Sequence, residues 1–126
     1  EDLQKHKLES EQMSVTEEFA NLFNQKIVDK HRVCAVGTSV LRALETASTI
    51  KGKIKEYDGW TNRFIFPPYE FQTVDSLLST FQLPYSTMLM NKAAFAGYDF
   101  VMKAYSTAIS KNYKFGCFGD MMLILR

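Results

Sequence analysis

The sequence predicts an α/β fold, with helices layered around a mostly parallel or mixed sheet. Two observations carry this expectation. Residues 16–47 run helix, strand, glycine turn, helix, the alternation that builds parallel sheets. The last residues, Met121-Met122-Leu123-Ile124-Leu125, are apolar at every position. A run without alternation suits a strand buried on both faces, and such a strand needs neighbours and covering layers. There is no initiator methionine and the apolar run simply stops, so the expectation is a piece of a larger α/β protein.

The elements follow in order. Thr16 can cap a helix whose first turn carries Glu17 and Glu18, with Phe19, Leu22, Phe23 and Ile27 on one face. Lys30-His31-Arg32 ends it. Val33-Cys34-Ala35-Val36 is a short buried strand, Gly37-Thr38-Ser39 breaks it, and Val40, Leu41, Leu44 and Ala47 stripe a second helix. Lys51-Gly52-Lys53-Ile54-Lys55 reads as a solvated basic stretch and Asp58-Gly59 as a turn. Arg63-Phe64-Ile65-Phe66 reads as a strand stopped by Pro67-Pro68. Val74 to Leu78 fits strand or helix equally. Ser86 or Thr87 can cap a helix reaching Gly97, and a further helix carries Phe100, Val101, Ala104, Tyr105, Ala108 and Ile109. Tyr113 to Phe118 reads as extended, and Gly119-Asp120 as the turn into the terminal strand.

Composition narrows the class. Of 126 residues, 46% are apolar and 23% charged, which excludes disorder of the whole chain. No apolar run approaches the ~20 residues that span a bilayer, and Glu1-Asp2-Leu3-Gln4-Lys5 does not open a signal peptide. A net charge of +1 excludes a strongly basic nucleic-acid module but says little else about partners. Cys34 and Cys117 sit among apolar residues and read as buried free thiols of a reducing, cytoplasmic compartment. With His6 and His31 the only histidines and no Cys-x-x-Cys, no metal site is expected.

Several segments could carry chemistry. Gly37-Thr38-Ser39, between strand and helix, offers backbone N–H groups and hydroxyls to an anion, and Arg42 follows one turn later. The competing reading is a capped helix with Arg42 paired to Glu45 or solvated. His6, Glu9 and Glu11 are ionisable groups close in sequence, suited to acid–base work or simply to a solvated terminus. Asp75 among Val74, Leu77 and Leu78 faces solvent or is buried with a partner. Asp120 precedes its strand, so a turn-forming role competes with a functional one. Tyr57, Trp60, Phe64, Phe66, Tyr69 and Phe71 can stack on bases beside the basic stretch, or pack a core.

Taken together these pieces resemble one family. The order Val36-Gly37-Thr38-Ser39-x-x-Arg42-x-Leu44-Glu45, Gly59-x-Thr61-Asn62-x-Phe64-Ile65-x-Pro67, Val74-Asp75-x-Leu77, Phe81-x-Leu83-Pro84-x-Ser86-Thr87-x-x-Met90, Ala94-Phe95-x-Gly97 and Gly119-Asp120-Met121-Met122-Leu123-Ile124 is similar to the C-terminal part of S-adenosylmethionine:tRNA ribosyltransferase-isomerases. The resemblance covers essentially the whole chain. It implies that residues 1–126 form the C-terminal part of the larger α/β domain of a two-domain enzyme, whose inserted β-barrel lies outside this chain.

The resemblance also implies an activity in queuosine biosynthesis. The ribosyl group of S-adenosylmethionine moves to an aminomethyl-deazaguanine wobble base of tRNA and is isomerised to epoxyqueuosine, releasing adenine and methionine. S-adenosylmethionine is then a substrate, and no cofactor, metal or membrane is implied. Catalytic candidates are His6, Glu11 and Asp120; Gly37, Thr38, Ser39, Arg42, Thr61, Asp75, Ser86, Thr87 and Gly119 are candidates for substrate binding. The family's His-x-Met-His-x-Glu pattern keeps His6 and Glu11 but has Leu8 and Glu9 at the two positions between them. Its Asn-Phe-His-Leu-Pro becomes Thr80-Phe81-Gln82-Leu83-Pro84, its Thr-Asp becomes Thr61-Asn62, and its Pro-Gly becomes Pro67-Pro68. Gln82 hydrogen-bonds but carries no proton near neutral pH. The alternative is therefore a non-catalytic or altered-substrate paralogue that binds tRNA or a nucleotide. The fragment alone is expected to be inactive, and its unmatched apolar surface is expected to favour self-association.

Overall fold

The computed structural model describes residues 8–82 and 87–126, with only the main chain described at Thr87. Strand β1 (Glu11–Val15) leads into helix α1 (Glu17–Val28). Thr16 Oγ1 accepts from the Phe19 N–H at 3.1 Å and caps the helix as expected. The buried side is rotated from the expected one. Ala20 and Phe23 are buried, whereas Phe19 and Leu22 are 46% and 56% exposed. A polar clasp explains the rotation: Asn24 Nδ2 donates to the Ile54 carbonyl at 2.8 Å, and Asn24 Oδ1 accepts the Ile54 N–H at 2.9 Å. That bond turns the Asn24 side of α1 toward the chain around Ile54.

Strand β2 (Cys34–Val36) and helix α2 (Thr38–Ala47) follow, with Leu41, Leu44 and Ala47 buried. The basic stretch is not a plain loop. Strands β3 (Ser48–Ile50) and β4 (Lys53–Ile54) form a small hairpin there, and Ile54 is fully buried. Asp58-Gly59 does not turn. It lies inside β5 (Tyr57–Thr61), which pairs antiparallel with β1, Glu11 opposite Thr61. The Tyr57 ring lies against Gly59 and its hydroxyl donates to the Trp60 carbonyl at 2.8 Å, so an aromatic covers the side-chain-free position.

Arg63–Phe66 forms no strand: no described strand pairs with it, and side-chain bonds hold it instead. Val74–Leu78 resolves into β6 (Ser76–Thr80). Helices α3 (Thr87–Ala96) and α4 (Tyr98–Ser110) cross next, and β7 (Met121–Leu125) ends the fold. The main sheet has the order β2-β6-β7, with β2 parallel and β7 antiparallel to β6. The sheet is thus mixed, within the α/β class expected.

The strand with buried residues on both faces is β6, not the terminal one. In β7 only Ile124 is buried, and Leu123 and Leu125 are 55% and 68% exposed, because with Met121 they lie on a sheet face that the described residues leave uncovered. The cysteines also differ from expectation: both are exposed. Cys34 points outward from edge strand β2, whose burial alternates around Ala35, and Cys117 sits in the turn before β7. Tyr113–Phe118 turns rather than extends, with the Gly116 N–H on the Phe81 carbonyl at 2.8 Å. A Cβ at Gly119 would lie 2.5 Å from the Lys114 carbonyl oxygen, so that turn admits only glycine. No helix among the described residues is long and apolar enough to cross a membrane.

A second core of Phe81, Leu89, Val101, Tyr105 and Ala108 encloses Lys92. Lys92 Nζ donates to the Thr80 carbonyl and, at 3.0 Å, to the Tyr105 hydroxyl. Burial pushes its pKa down from 10.5 to about 8. The unfolded chain then holds the extra proton between those values, so stability rises with pH across that window. The Tyr69 and Tyr105 hydroxyls, pushed up by burial, oppose this only above pH 10. Urea unfolding of the wild type and Lys92→Met, compared from pH 7 to 9.5, should show the wild type gaining on the order of 2 kcal/mol relative to the variant. A difference that stays flat with pH would contradict a charged lysine held in this core.

Candidate functional site

The site is built on the turn after β2. Gly37 has φ 96° and ψ 146°, a conformation that residues with a Cβ rarely adopt. Its N–H donates to the Leu78 carbonyl of β6 at 2.8 Å, fixing the turn to the central strand. No side chain caps α2, so the first N–H groups of the helix are left open at the positive end of its dipole. Since β2 and β6 run parallel, this opening lies at their carboxyl ends, where open α/β sheets gather ligands.

Arg42 sits one turn into α2 and is only 8% exposed. Nε donates to the Arg63 carbonyl at 3.1 Å, and Nη1 donates to Glu11 Oε2 at 2.8 Å. Nη2 is buried and meets no acceptor among the described residues. A buried donor left unmade costs about 1–3 kcal/mol, a penalty that an acceptor reaching Nη2 would relieve. Arg42 pairs with Glu11 and not with Glu45. Glu45 is buried elsewhere on α2 and accepts from the Gln72 N–H at 3.0 Å, the Thr73 N–H at 3.3 Å and the Tyr69 hydroxyl at 3.3 Å.

A cavity of about 220 Å³ opens beside Arg42. Thr38, Ser39 and Arg42 form its α2 wall, and Glu9 and Glu11 stand across it. Asn91 of α3, 2% exposed, also lines it, and its buried amide oxygen has no donor among the described residues. The cavity can accept an anionic group on its helix side and a cation or N–H donor on its carboxylate side.

The remaining candidates fall in different places. His6 and Ser86 lie outside the described residues, and Thr87 opens α3 with its side chain undescribed. Thr61 is buried opposite Glu11 in the β1–β5 ladder, with its Oγ1 2.8 Å from Thr46 Oγ1. Asp75 lies at the opposite end of the sheet, where its Oδ2 accepts the Val33 N–H at 2.7 Å and ties β2 to β6. Asp120 accepts the Lys114 N–H at 2.7 Å in the turn made by Gly119. It nevertheless stands at the same end of the sheet as Gly37: β7 is antiparallel, so its start meets Thr80 at the end of β6. The aromatic residues divide, with Phe71 packed in the core against Tyr69 and Phe95 while Trp60 is exposed on β5. Among the described residues, no group of three His, Cys, Asp or Glu side chains is placed to hold a metal.

Sequence reasoning missed Glu45, Asn91 and Lys92. Glu45 carried a signal, since it falls four residues after Leu41 on the apolar stripe of α2, where an acid must find partners. Asn91 and Lys92 carried none, because their surroundings come from β6 and α4.

Fold and site define a mixed α/β unit with a doubly charged pocket at the carboxyl ends of its parallel strands. The pattern of the family described as queuosine biosynthesis protein matches residues 1–124. The chain belongs to that family. It is 54% identical over 99% of its length to the S-adenosylmethionine:tRNA ribosyltransferase-isomerase of Bacteroides fragilis, and 51% identical to that of Parabacteroides distasonis. It spans 36% of the length of both relatives. The crystal structure of S-adenosylmethionine tRNA ribosyltransferase from Thermotoga maritima superposes with a TM-score of 0.82 at 46% identity, covering 89% of this chain and 40% of that one.

Glu45 gives a direct test of the packing that supports the pocket. Glu45→Ala leaves buried N–H groups without an acceptor and should cost about 2–4 kcal/mol in urea unfolding. Glu45→Gln keeps one oxygen and should cost less than half as much. Equal losses would show that the side chain merely fills space.

Proposed function

We propose that this chain is part of an S-adenosylmethionine:tRNA ribosyltransferase-isomerase of queuosine biosynthesis. In this reading the whole protein transfers the ribosyl moiety of S-adenosylmethionine to the aminomethyl-deazaguanine wobble base of tRNA and forms epoxyqueuosine. The observation that carries it is the Arg42–Glu11 pair beside the uncapped start of α2. It brings Arg42, from the Val36–Glu45 motif, and Glu11, retained from the family's N-terminal His-x-Met-His-x-Glu pattern, together in one cavity although they lie 31 residues apart.

Within that reading the α2 opening and Arg42 hold an anionic part of a substrate. Glu11 is placed by Arg42 through Oε2 and, with His6, is the candidate to take a proton from the sulfonium-adjacent carbon or from the attacking amine. Thr61 backs Glu11 across the β1–β5 pair. Adenine and methionine leave as the ribosyl group is transferred and closed.

One observation favours a second reading, a paralogue that binds tRNA with altered or absent chemistry. Gln82 stands where the family pattern has a histidine, and its Nε2 turns back to Thr80 Oγ1 at 3.0 Å. Glu9, in place of another histidine, brings a second carboxylate to the cavity.

Adenine release from S-adenosylmethionine by the full-length protein, with precursor-containing tRNA, separates the two readings. The first expects tRNA-dependent release that Glu11→Gln lowers by about 100-fold or more, within the range for a lost general base. The second expects tRNA binding that weakens steeply with salt and no adenine. Absence of release where another family member is active would remove the enzymatic reading.

A further inference from the structure

The cavity beside α2 has a charge pattern that the proposed activity does not by itself explain. A phosphate subsite would gather cations and N–H donors alone. This one sets Arg42 and the open N–H groups of α2 against Glu9 and Glu11, and adds the unfilled carboxamide oxygen of Asn91. Two carboxylates facing one guanidinium oppose a polyanion but suit a ligand that carries both signs a few ångströms apart.

We propose that the cavity is the subsite for an α-amino-acid end, here the methionyl end of S-adenosylmethionine, an assignment that rests on the activity proposed above. The ligand carboxylate meets the first N–H groups of α2 and takes the spare Nη2 of Arg42. The ligand ammonium meets Glu11, Glu9 and the Asn91 oxygen. Both buried polar atoms that lack a partner among the described residues are thereby satisfied, one by each end of the zwitterion. Leu8 and Met88 supply apolar wall for the carbon–sulfur stem between them. Size agrees: about 220 Å³ is below the roughly 300 Å³ at which pockets begin to enclose a drug-sized ligand, so the cavity takes one end of the molecule.

The test uses the full-length protein and calorimetric binding of three probes: S-adenosylmethionine, its decarboxylated analogue and 5′-methylthioadenosine, which lacks the amino-acid end. Ser39→Asp is the main variant. It places a carboxylate in the first turn of α2, where it stabilises the helix yet repels a ligand carboxylate. It should weaken S-adenosylmethionine about 10- to 100-fold and leave the other two probes within about twofold. Arg42→Met should show the same selectivity, and Asn91→Ala should weaken both ligands that keep the ammonium while sparing methylthioadenosine. Equal weakening of all three probes by Ser39→Asp overturns the assignment. So does a loss confined to tRNA affinity and its salt slope, which would mark a phosphate site. A protein that releases adenine with an S-adenosylmethionine KM unmoved by Ser39→Asp keeps its activity and loses this subsite. A protein that releases none, yet binds S-adenosylmethionine in a Ser39→Asp-sensitive way, keeps the subsite and loses the activity.

Discussion

Two ionisable side chains are buried on one short helix, and much of the structure is arranged to satisfy them. Arg42 and Glu45 lie three positions apart on α2, close enough to pair, yet they do not. A buried charge is tolerated only with partners, and each finds its own. Arg42 reaches β1 through Glu11 and the following segment through the Arg63 carbonyl. Glu45 gathers the N–H groups of Gln72 and Thr73. Between Arg63 and Thr73 the chain has no strand ladder, so these side chains supply acceptors and donors that a sheet would otherwise provide. One helix thereby orders the route from β5 to β6 and fixes the register of the site.

That arrangement also accounts for where the pocket lies. Gly37 ends β2 in a conformation that leaves α2 uncapped, and its bond to Leu78 holds the opening against β6. Serine or aspartate at that position would close the first N–H groups with its own side chain. The glycine leaves them open. The antiparallel return of β7 adds a second consequence. Asp120, although it precedes its strand, arrives at the same end of the sheet as Gly37. Strand direction in a mixed sheet therefore decides which turns can approach a ligand.

Much of this was legible in the sequence where the cause is local. The Thr16 cap, the Gly37 turn and the helix pair around Gly97 follow from residues within a few positions of one another, and so do the stripes of α2 and α4, except that Val40, Phe100 and Ile109 prove exposed. The errors lie where a partner is distant. Asp58-Gly59 reads as a turn, but β1 recruits it into a strand, and Tyr57 covers the glycine. Arg63–Phe66 has strand composition and no strand to pair with among the described residues. The terminal run reads as doubly buried, but the two-sided burial belongs to β6, whose Ser76 and Ser79 disguise it. For the site, Arg42 and Glu11 were each visible as candidates. Their pairing was not, because only the β1–β5 ladder brings Glu11 over α2.

The position of Glu9 bears on what the pocket can select. The family pattern has a histidine there, a group that is neutral or cationic near physiological pH. A carboxylate makes the wall opposite Arg42 doubly acidic. Affinity for any anion then depends on a compensating cation on the same ligand, since the guanidinium is already engaged by Glu11. A tRNA phosphate brings no such cation. The methionyl end of S-adenosylmethionine does, with its ammonium a few bonds from its carboxylate. The substitution that most weakens the case for proton shuttling at this position is thus the one that most sharpens the case for zwitterion binding. The two roles are separable because one needs a titrating side chain and the other needs only a fixed negative charge.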